Sequence, residues 1–223
     1  MKKISLQIFC VLFVCVFNVK ADDLQNSNIE NGYEWIDLGL PSGVKWATCN
    51  IGADSPEDYG SYYSWGELYT KNIYDWSTYQ WCNGTPNFMK KYCSNAEKGV
   101  LDKKRVLEMQ DDVANVNWGG SWHIPSKEEI KELIEYCYWT KTSRKGVVGY
   151  LVISQINNNS IFFPNGGFYT EKGVEGQKES LRIWSNKITE YGIMVSSLLC
   201  ERDFVGFDVV SRYCGLPIRA VCK

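Results

Sequence analysis

The chain has 223 residues, 44% of them hydrophobic and 22% charged, with 24 Lys and Arg against 26 Asp and Glu and a formal charge of −2. That balance speaks against a nucleic-acid partner, because affinity for a phosphate backbone comes from an excess of cations that displace its counterions. The length suits one domain around one core, and no linker, repeat or block of like charge divides it.

Lys2 and Lys3 lead into an apolar run over residues 4–19, and Val19-Lys20-Ala21 offers small residues where a signal peptidase reads. Residues 1–21 are therefore expected to form a cleaved signal peptide. The run is shorter than the roughly 20 apolar residues of a spanning helix and carries Ser5, Gln7 and Asn18, so no transmembrane segment is expected after cleavage. Neither Cys10 nor Cys15 follows the small residue that lipid attachment wants. The expected address is the periplasm, the cell surface or the medium. Loss of Lys2, Lys3 and Lys20 leaves 21 basic residues against 26 acidic ones, a formal charge of −5. Residues 22–32 read as an N-terminal extension and 33–223 as a single domain.

Nine Trp, fourteen Tyr and nine Phe among nineteen Gly favour short strands joined by turns. Residues 67–100 are aromatic, polar and irregular, long for a structureless loop, so they either fold over the core or face a ligand. Asp111 and Asp112 suit the start of a short helical turn that ends before Gly119-Gly120. Ser126 with Glu129 forms a capping box behind Pro125, and Ile130, Leu133, Ile134, Cys137 and Tyr138 share one helical face. These residues predict a helix over 127–138. Strands over 147–154 and 160–163 flank Asn157-Asn158-Asn159, which tolerate a tight hairpin turn. Further strands are expected over 181–185, 192–199, 206–212 and 216–222. Strands, a capped helix and then a strand meander make an α+β fold.

Gly39-Leu-Pro-Ser-Gly-Val-Lys-Trp-Ala-Thr-Cys-Asn-Ile-Gly-Ala53 is answered by Trp118-Gly-Gly-Ser-Trp-His-Ile-Pro-Ser126. With Tyr33-Glu-Trp-Ile-Asp-Leu38 and Asp58-Tyr-Gly-Ser-Tyr-Tyr-Ser-Trp-Gly-Glu67, the pattern resembles the major paralogous domain of Fibrobacter succinogenes, a bacterial extracellular family. The resemblance runs from Tyr33 to the closing Gly215-Leu-Pro-Ile-Arg-Ala-Val-Cys222. It implies a C-type lectin-like fold, related to the formylglycine-generating enzymes, in which a Trp-Arg-Leu-Pro-Thr run opens the helix; here Trp122-His123-Ile124-Pro125-Ser126 takes that place.

His123 is the sole histidine. Zinc centres with several His ligands are excluded, and no serine elbow, phosphate loop or dinucleotide fingerprint is present. A structural hydrogen bond near the helix start is the expected role of His123, since no positioned catalytic partner is visible. Phe163-Pro164-Asn165 and Trp184-Ser185-Asn186 resemble fragments of a lectin calcium site. Phe163 and Lys187 replace its charged members, and calcium wants several charged oxygens. A hairpin turn and a buried Trp are preferred, with no metal or other cofactor expected.

Cleavage would leave seven cysteines: Cys49, Cys82, Cys93, Cys137, Cys200, Cys214 and Cys222. An odd number leaves one unpaired, and the connectivity stays open. Cys82 with Cys93 is the preferred bridge and Cys49 with Cys137 the second. Formylglycine-generating enzymes act through a cysteine pair near the C-terminus, which makes Cys214 and Cys222, with Arg212 and Arg219 nearby to depress a thiol pKa, the residues of a thiol-oxidase alternative. The remaining resource is aromatic. Trp76, Tyr79 and Trp81, with Asn83, are expected to line a recognition surface on the loop. The favoured function is thus a secreted, non-enzymatic recognition or adhesion module of a bacterial cell envelope, with a glycan or a surface protein as partner. A structural subunit of a surface assembly is the first alternative and the thiol oxidase the second.

Overall fold

A computed structural model describes residues 28–223 of the chain. The signal peptide expected over residues 1–21 lies outside the described residues. Twelve strands and two α-helices follow in order: β1 (Ile29–Glu30), β2 (Tyr33–Ile36), β3 (Lys45–Ala47), α1 (Val113–Trp118), α2 (Lys127–Glu135), β4 (Cys137–Arg144), β5 (Val147–Ser154), β6 (Ser160–Pro164), β7 (Phe168–Thr170), β8 (Gly173–Glu175), β9 (Ser180–Ile188), β10 (Met194–Glu201), β11 (Phe204–Ser211) and β12 (Val221–Cys222). The fold is mostly antiparallel sheet with two helices, as the α+β reading requires. Residues 29–30, placed by the sequence in an extension, are part of the fold. They pair with β2, and Glu30 accepts bonds from the Ser121 backbone N–H and hydroxyl.

Four sheets carry the architecture, ordered β1-β2-β3-β12, β11-β10-β9, β4-β5-β6 and β7-β8. In the first and second sheets β3, β9, β10 and β12 send alternate side chains to opposite faces, as the two-residue period of a strand demands. Trp46, Leu181, Ile183, Leu198 and Val221 join one core with Ile130 and Leu133 of α2 and with Val152 and Phe163. Ala47, Trp184, Val195, Ala220 and Cys222 join a second core with Val113, Trp118 and Trp122. Both faces are therefore buried.

α2 begins where the sequence placed it. Ser126 Oγ accepts from the Glu129 N–H at 3.1 Å and the Glu129 carboxylate accepts from the Ser126 N–H at 2.8 Å. It ends three residues early, because Cys137 and Tyr138 pair with Ser154 and Ile153 in β4. Their apolar spacing suits a helix face, but the strand ladder wins. The hairpin β5–β6 stands as expected, whereas the strand expected over 216–222 shrinks to Val221–Cys222. Leu216 makes only an isolated bridge to Tyr63, and Arg219 turns inward.

The loop over 67–100 contains no α-helix or strand, only a 3-10 turn at Ala96–Lys98, and it folds back on the body. Tyr79, Cys82, Met89 and Cys93 form a third small core, flanked by Trp76, Trp81, Ile193 and Tyr213. The loop is fastened to the sheets by polar bonds. Tyr79 Oη donates to the Trp65 carbonyl, Trp81 Nε1 to that of Gly66, and Glu67 accepts from the Gln80 N–H.

Candidate functional site

Of the aromatic residues expected to line a recognition surface, Tyr79 is buried and Trp76 and Trp81 are half-buried against a small core. Tyr79 is only 2% exposed and its hydroxyl also accepts from Arg212 Nε at 2.8 Å. Trp76 packs edge-on against Tyr79 and Tyr213, and Trp81 against Tyr92. Of the four residues, Asn83 alone is exposed. Density of rings in a polar stretch marked a miniature core, since a long loop must bury something to stay folded.

The expected disulfides are not formed in the structure, which holds all seven described cysteines as thiols. Cys82 Sγ turns to the Trp76 carbonyl at 3.1 Å and Cys93 Sγ to that of Asn95 at 3.0 Å. Cys137 lies in the helix core, whereas Cys49 lines a separate cleft with Tyr33 and Trp118. Cys214 and Cys222 lack the environment of reactive thiols. Burial pushes each up to about 12, the opposite of the depression expected from nearby arginines. Arg212 and Arg219 spend their guanidinium groups on backbone carbonyls, a tyrosine hydroxyl and a side-chain amide instead.

His123 stands at the α2 N-terminus as a structural group. Its backbone N–H and carbonyl pair with Val221, Nδ1 donates to the Ser121 carbonyl at 2.8 Å, and Nε2 meets Glu129 Oε1 at 3.3 Å. Ser126 Oγ donates to the other oxygen of the same carboxylate at 2.9 Å. The carboxylate therefore sits between serine and histidine. Nucleophilic catalysis needs the serine to face the imidazole, so these residues cap a helix and cannot relay a proton from Ser126 to His123. Burial pulls the His123 pKa down, but the Glu129 and Ser121 bonds outweigh it and leave it raised. Burial likewise pushes Glu129 up, and the His123 and Ser126 bonds bring it below its ordinary value.

A raised histidine pKa adds stability below the unfolded value of about 6.5 that is lost as pH rises through the folded value. The lowered Glu129 pKa adds stability that is lost in the acid range, as pH falls through its folded value. The stability gap between wild type and His123→Gln is thus expected to be largest at mildly acidic pH and to shrink toward pH 8, by no more than about 1 kcal/mol for a part-exposed pair. Urea unfolding at several pH values measures it, and a gap independent of pH would remove the ion pair from the account.

Of the two calcium-like fragments, Phe163-Pro164-Asn165 closes β6 and Trp184-Ser185-Asn186 lies in β9. Asn165 is buried, its Nδ2 donating to the Glu179 carbonyl at 3.2 Å and its Oδ1 without a partner among the described residues, while Trp184 Nε1 donates to the carbonyl of Tyr63. Asn186 spends its backbone groups on Pro125 and Leu107. No group of three or more His, Cys, Asp or Glu side chains suited to a metal is present among the described residues.

One surface feature remains, and sequence reasoning missed it. A groove of about 640 Å³ lies where the start of α2, the end of β9 and the strand β11 meet. The Asn186 N–H bonds the Pro125 carbonyl at 2.9 Å, which fixes the helix start to β9, and the Ile188 N–H bonds the Arg105 carbonyl at 2.9 Å, which lays the segment around Arg105 along the opposite wall. Phe207 lines the groove, with Lys127 Nζ 4.9 Å from its ring centroid. Arg105, Lys131 and Lys187 add three more cations. Their clustering was invisible because the four residues lie on three segments separated by up to 82 positions in the sequence.

Three carboxylates share the groove with these cations, and Glu128, like two of the lysines, has no ion pair among the described residues. Asp208 is held by Arg182 at 2.5 Å, and Glu190, 87% exposed, reaches Arg105 only at 3.9 Å. Lys131 pairs with Glu135 at 3.3 Å, outside the groove lining. Lys127 and Lys187 have no ion pair among the described residues. No family model, curated protein or solved structure matches the chain. Among the described residues no helix is long and apolar enough to cross a membrane.

Proposed function

We propose that the protein is an exported, non-enzymatic recognition module of a bacterial cell envelope, akin to the Fibrobacter succinogenes major paralogous domain with a C-type lectin-like fold, and that it holds a carbohydrate. The groove beside α2 carries this reading. It combines an aromatic ring, several polar side chains with uncommitted hydrogen-bonding capacity and walls set by regular elements, the ingredients of a site that stacks on a sugar and reads its hydroxyls. Two observations weigh against catalysis. The Ser126, Glu129 and His123 contacts stand in the wrong order for nucleophile activation, and Cys214 and Cys222 are held protonated by burial. The latter also weighs against the thiol-oxidase reading.

A glycan array probed with the mature chain tests the proposal. Retention of a defined subset of glycans, lost in the Lys127→Glu, Lys187→Glu double variant, is the expected result; absence of retention on any glycan sinks it, as does turnover of a retained one. A role as a structural subunit of a surface assembly is the second reading, favoured by β11. This eight-residue strand ends its sheet and exposes Phe204 and Val209, and an open edge of that kind invites a neighbouring strand. Oligomers that grow with concentration in light scattering, and vanish in Val209→Lys, would favour assembly over glycan recognition.

A further inference from the structure

We infer that the ligand of the groove is an acidic saccharide, its carboxylate or sulfate groups held by Lys127, Lys187 and Arg105 and a sugar face laid against Phe207. This rests on the recognition reading and adds the charge of the ligand to it. The chain is acidic as a whole, with a formal charge of −2, yet this groove gathers four cations against three carboxylates, and its Lys127 and Lys187 have no carboxylate partner among the described residues. Unpaired cations on the wall of a concave site favour an anion, since each gains a charge-assisted hydrogen bond that water supplies only in part.

The aromatic ring separates a saccharide from a simple anion. Lys127 lies over Phe207 and the ring also packs against the core beneath α2, so a pyranose would take the place of the ammonium on the ring and bring its acidic substituent next to the displaced group. Inorganic sulfate would use only the cations and leave the ring bare. An extended acidic peptide would satisfy the cations without the flat apolar face that ring stacking rewards.

Isothermal titration of the purified mature chain with four probes decides the matter: a galacturonic acid hexamer, its fully methyl-esterified form, a glutamate hexapeptide and inorganic sulfate. The expected result is binding of the free-acid hexamer, at least tenfold weaker for the methyl ester and for the peptide, and not measurable for sulfate at the same concentration. Lys127→Glu with Lys187→Glu should weaken the free-acid hexamer at least tenfold, the two Lys→Arg changes should preserve it, and Phe207→Leu, which keeps apolar volume but loses the flat face, should weaken it several-fold. Equal binding of acid and ester overturns the acidic assignment but leaves a carbohydrate-binding module standing. Equal binding of hexamer and glutamate peptide overturns the saccharide assignment and leaves only a cationic patch. Failure of both hexamers here, with other neutral glycans retained on the array, removes this inference alone; failure on the array as well removes both proposals.

Discussion

Arg212→Ala is expected to destabilise the protein by roughly 4 kcal/mol and to free the loop over 67–100 before the sheets unfold. The guanidinium is fully buried and meets no carboxylate among the described residues. It donates Nε to Tyr79 Oη at 2.8 Å, Nη1 to the carbonyls of Tyr92 at 3.0 Å and Gly192 at 2.6 Å, and Nη2 to the carbonyl of Lys91 at 2.9 Å. Its plane also lies 5.2 Å from the Tyr79 ring and 5.5 Å from that of Trp65. One side chain on the C-terminal side of β11 thus binds both the third small core and the turn before β10. Removing it leaves several buried acceptors without a donor and a cavity behind them, and losing the partner of a buried charged hydrogen-bond set costs about 3–5 kcal/mol. Lysine should recover little, because a single ammonium cannot span four acceptors in a plane. Urea unfolding gives the magnitude and hydrogen exchange gives the order. A loss below 1 kcal/mol, or loop amides that stay protected to the global limit, would show that Arg212 is not what fastens the loop.

That anchoring also explains which parts of the molecule could be read from residues in order. The α2 start was legible because its signal is local: Ser126 and Glu129 three residues apart, after Pro125, form the reciprocal bonds that their types predict. The β5–β6 hairpin was legible for the same reason, with apolar runs either side of three Asn. The α2 end was not, since Cys137 and Tyr138 satisfy the helical and the strand period equally and only pairing with Ser154 and Ile153 decides between them. The packing of the loop was not legible because ring density does not say which way rings face. Tyr79 and Trp81 point inward through bonds to Trp65 and Gly66 that lie fourteen and fifteen positions away. The groove needed Arg105, Lys127 and Lys187 to be brought together by tertiary pairing that no periodicity encodes. Arg212 and Arg219, finally, stand beside Cys214 and Cys222 in sequence and so suggest modifiers of thiols, whereas their buried heads read as braces only once the carbonyls around them are placed.

The second brace carries the other large effect. Arg219→Met is expected to cost about 3 kcal/mol, even though methionine fills much of the same apolar space. Arg219 is fully buried and donates Nε to Asn50 Oδ1 at 2.8 Å, Nη1 to the carbonyls of Ala47 at 3.1 Å and Thr48 at 3.0 Å, and Nη2 to that of Phe162 at 3.1 Å, with the guanidinium 4.4 Å from the Phe163 ring. It therefore ties the end of β3 to β6, joining two sheets that share no strand. Burial pulls its pKa down to about 9, the mark of a charge kept in a dry place, and the four bonds with the aromatic face offset that penalty. Replacing the charge by an apolar chain removes the penalty and the bonds together, which is why the expected loss is smaller than for a bare truncation; Arg219→Ala, which adds a cavity, should cost more. Asn50 supplies the sharpest check, since its side chain is buried, accepts from Arg219 and donates to the Tyr59 carbonyl at 2.9 Å. A double-mutant cycle between Arg219→Met and Asn50→Ala should return a coupling of about 1.5–3 kcal/mol, the range of a hydrogen bond to a charged group. Additive losses would mean that the two side chains stabilise the fold independently, and the joint between β3 and β6 would then have to rest on the apolar contacts of Trp46 and Phe163 alone.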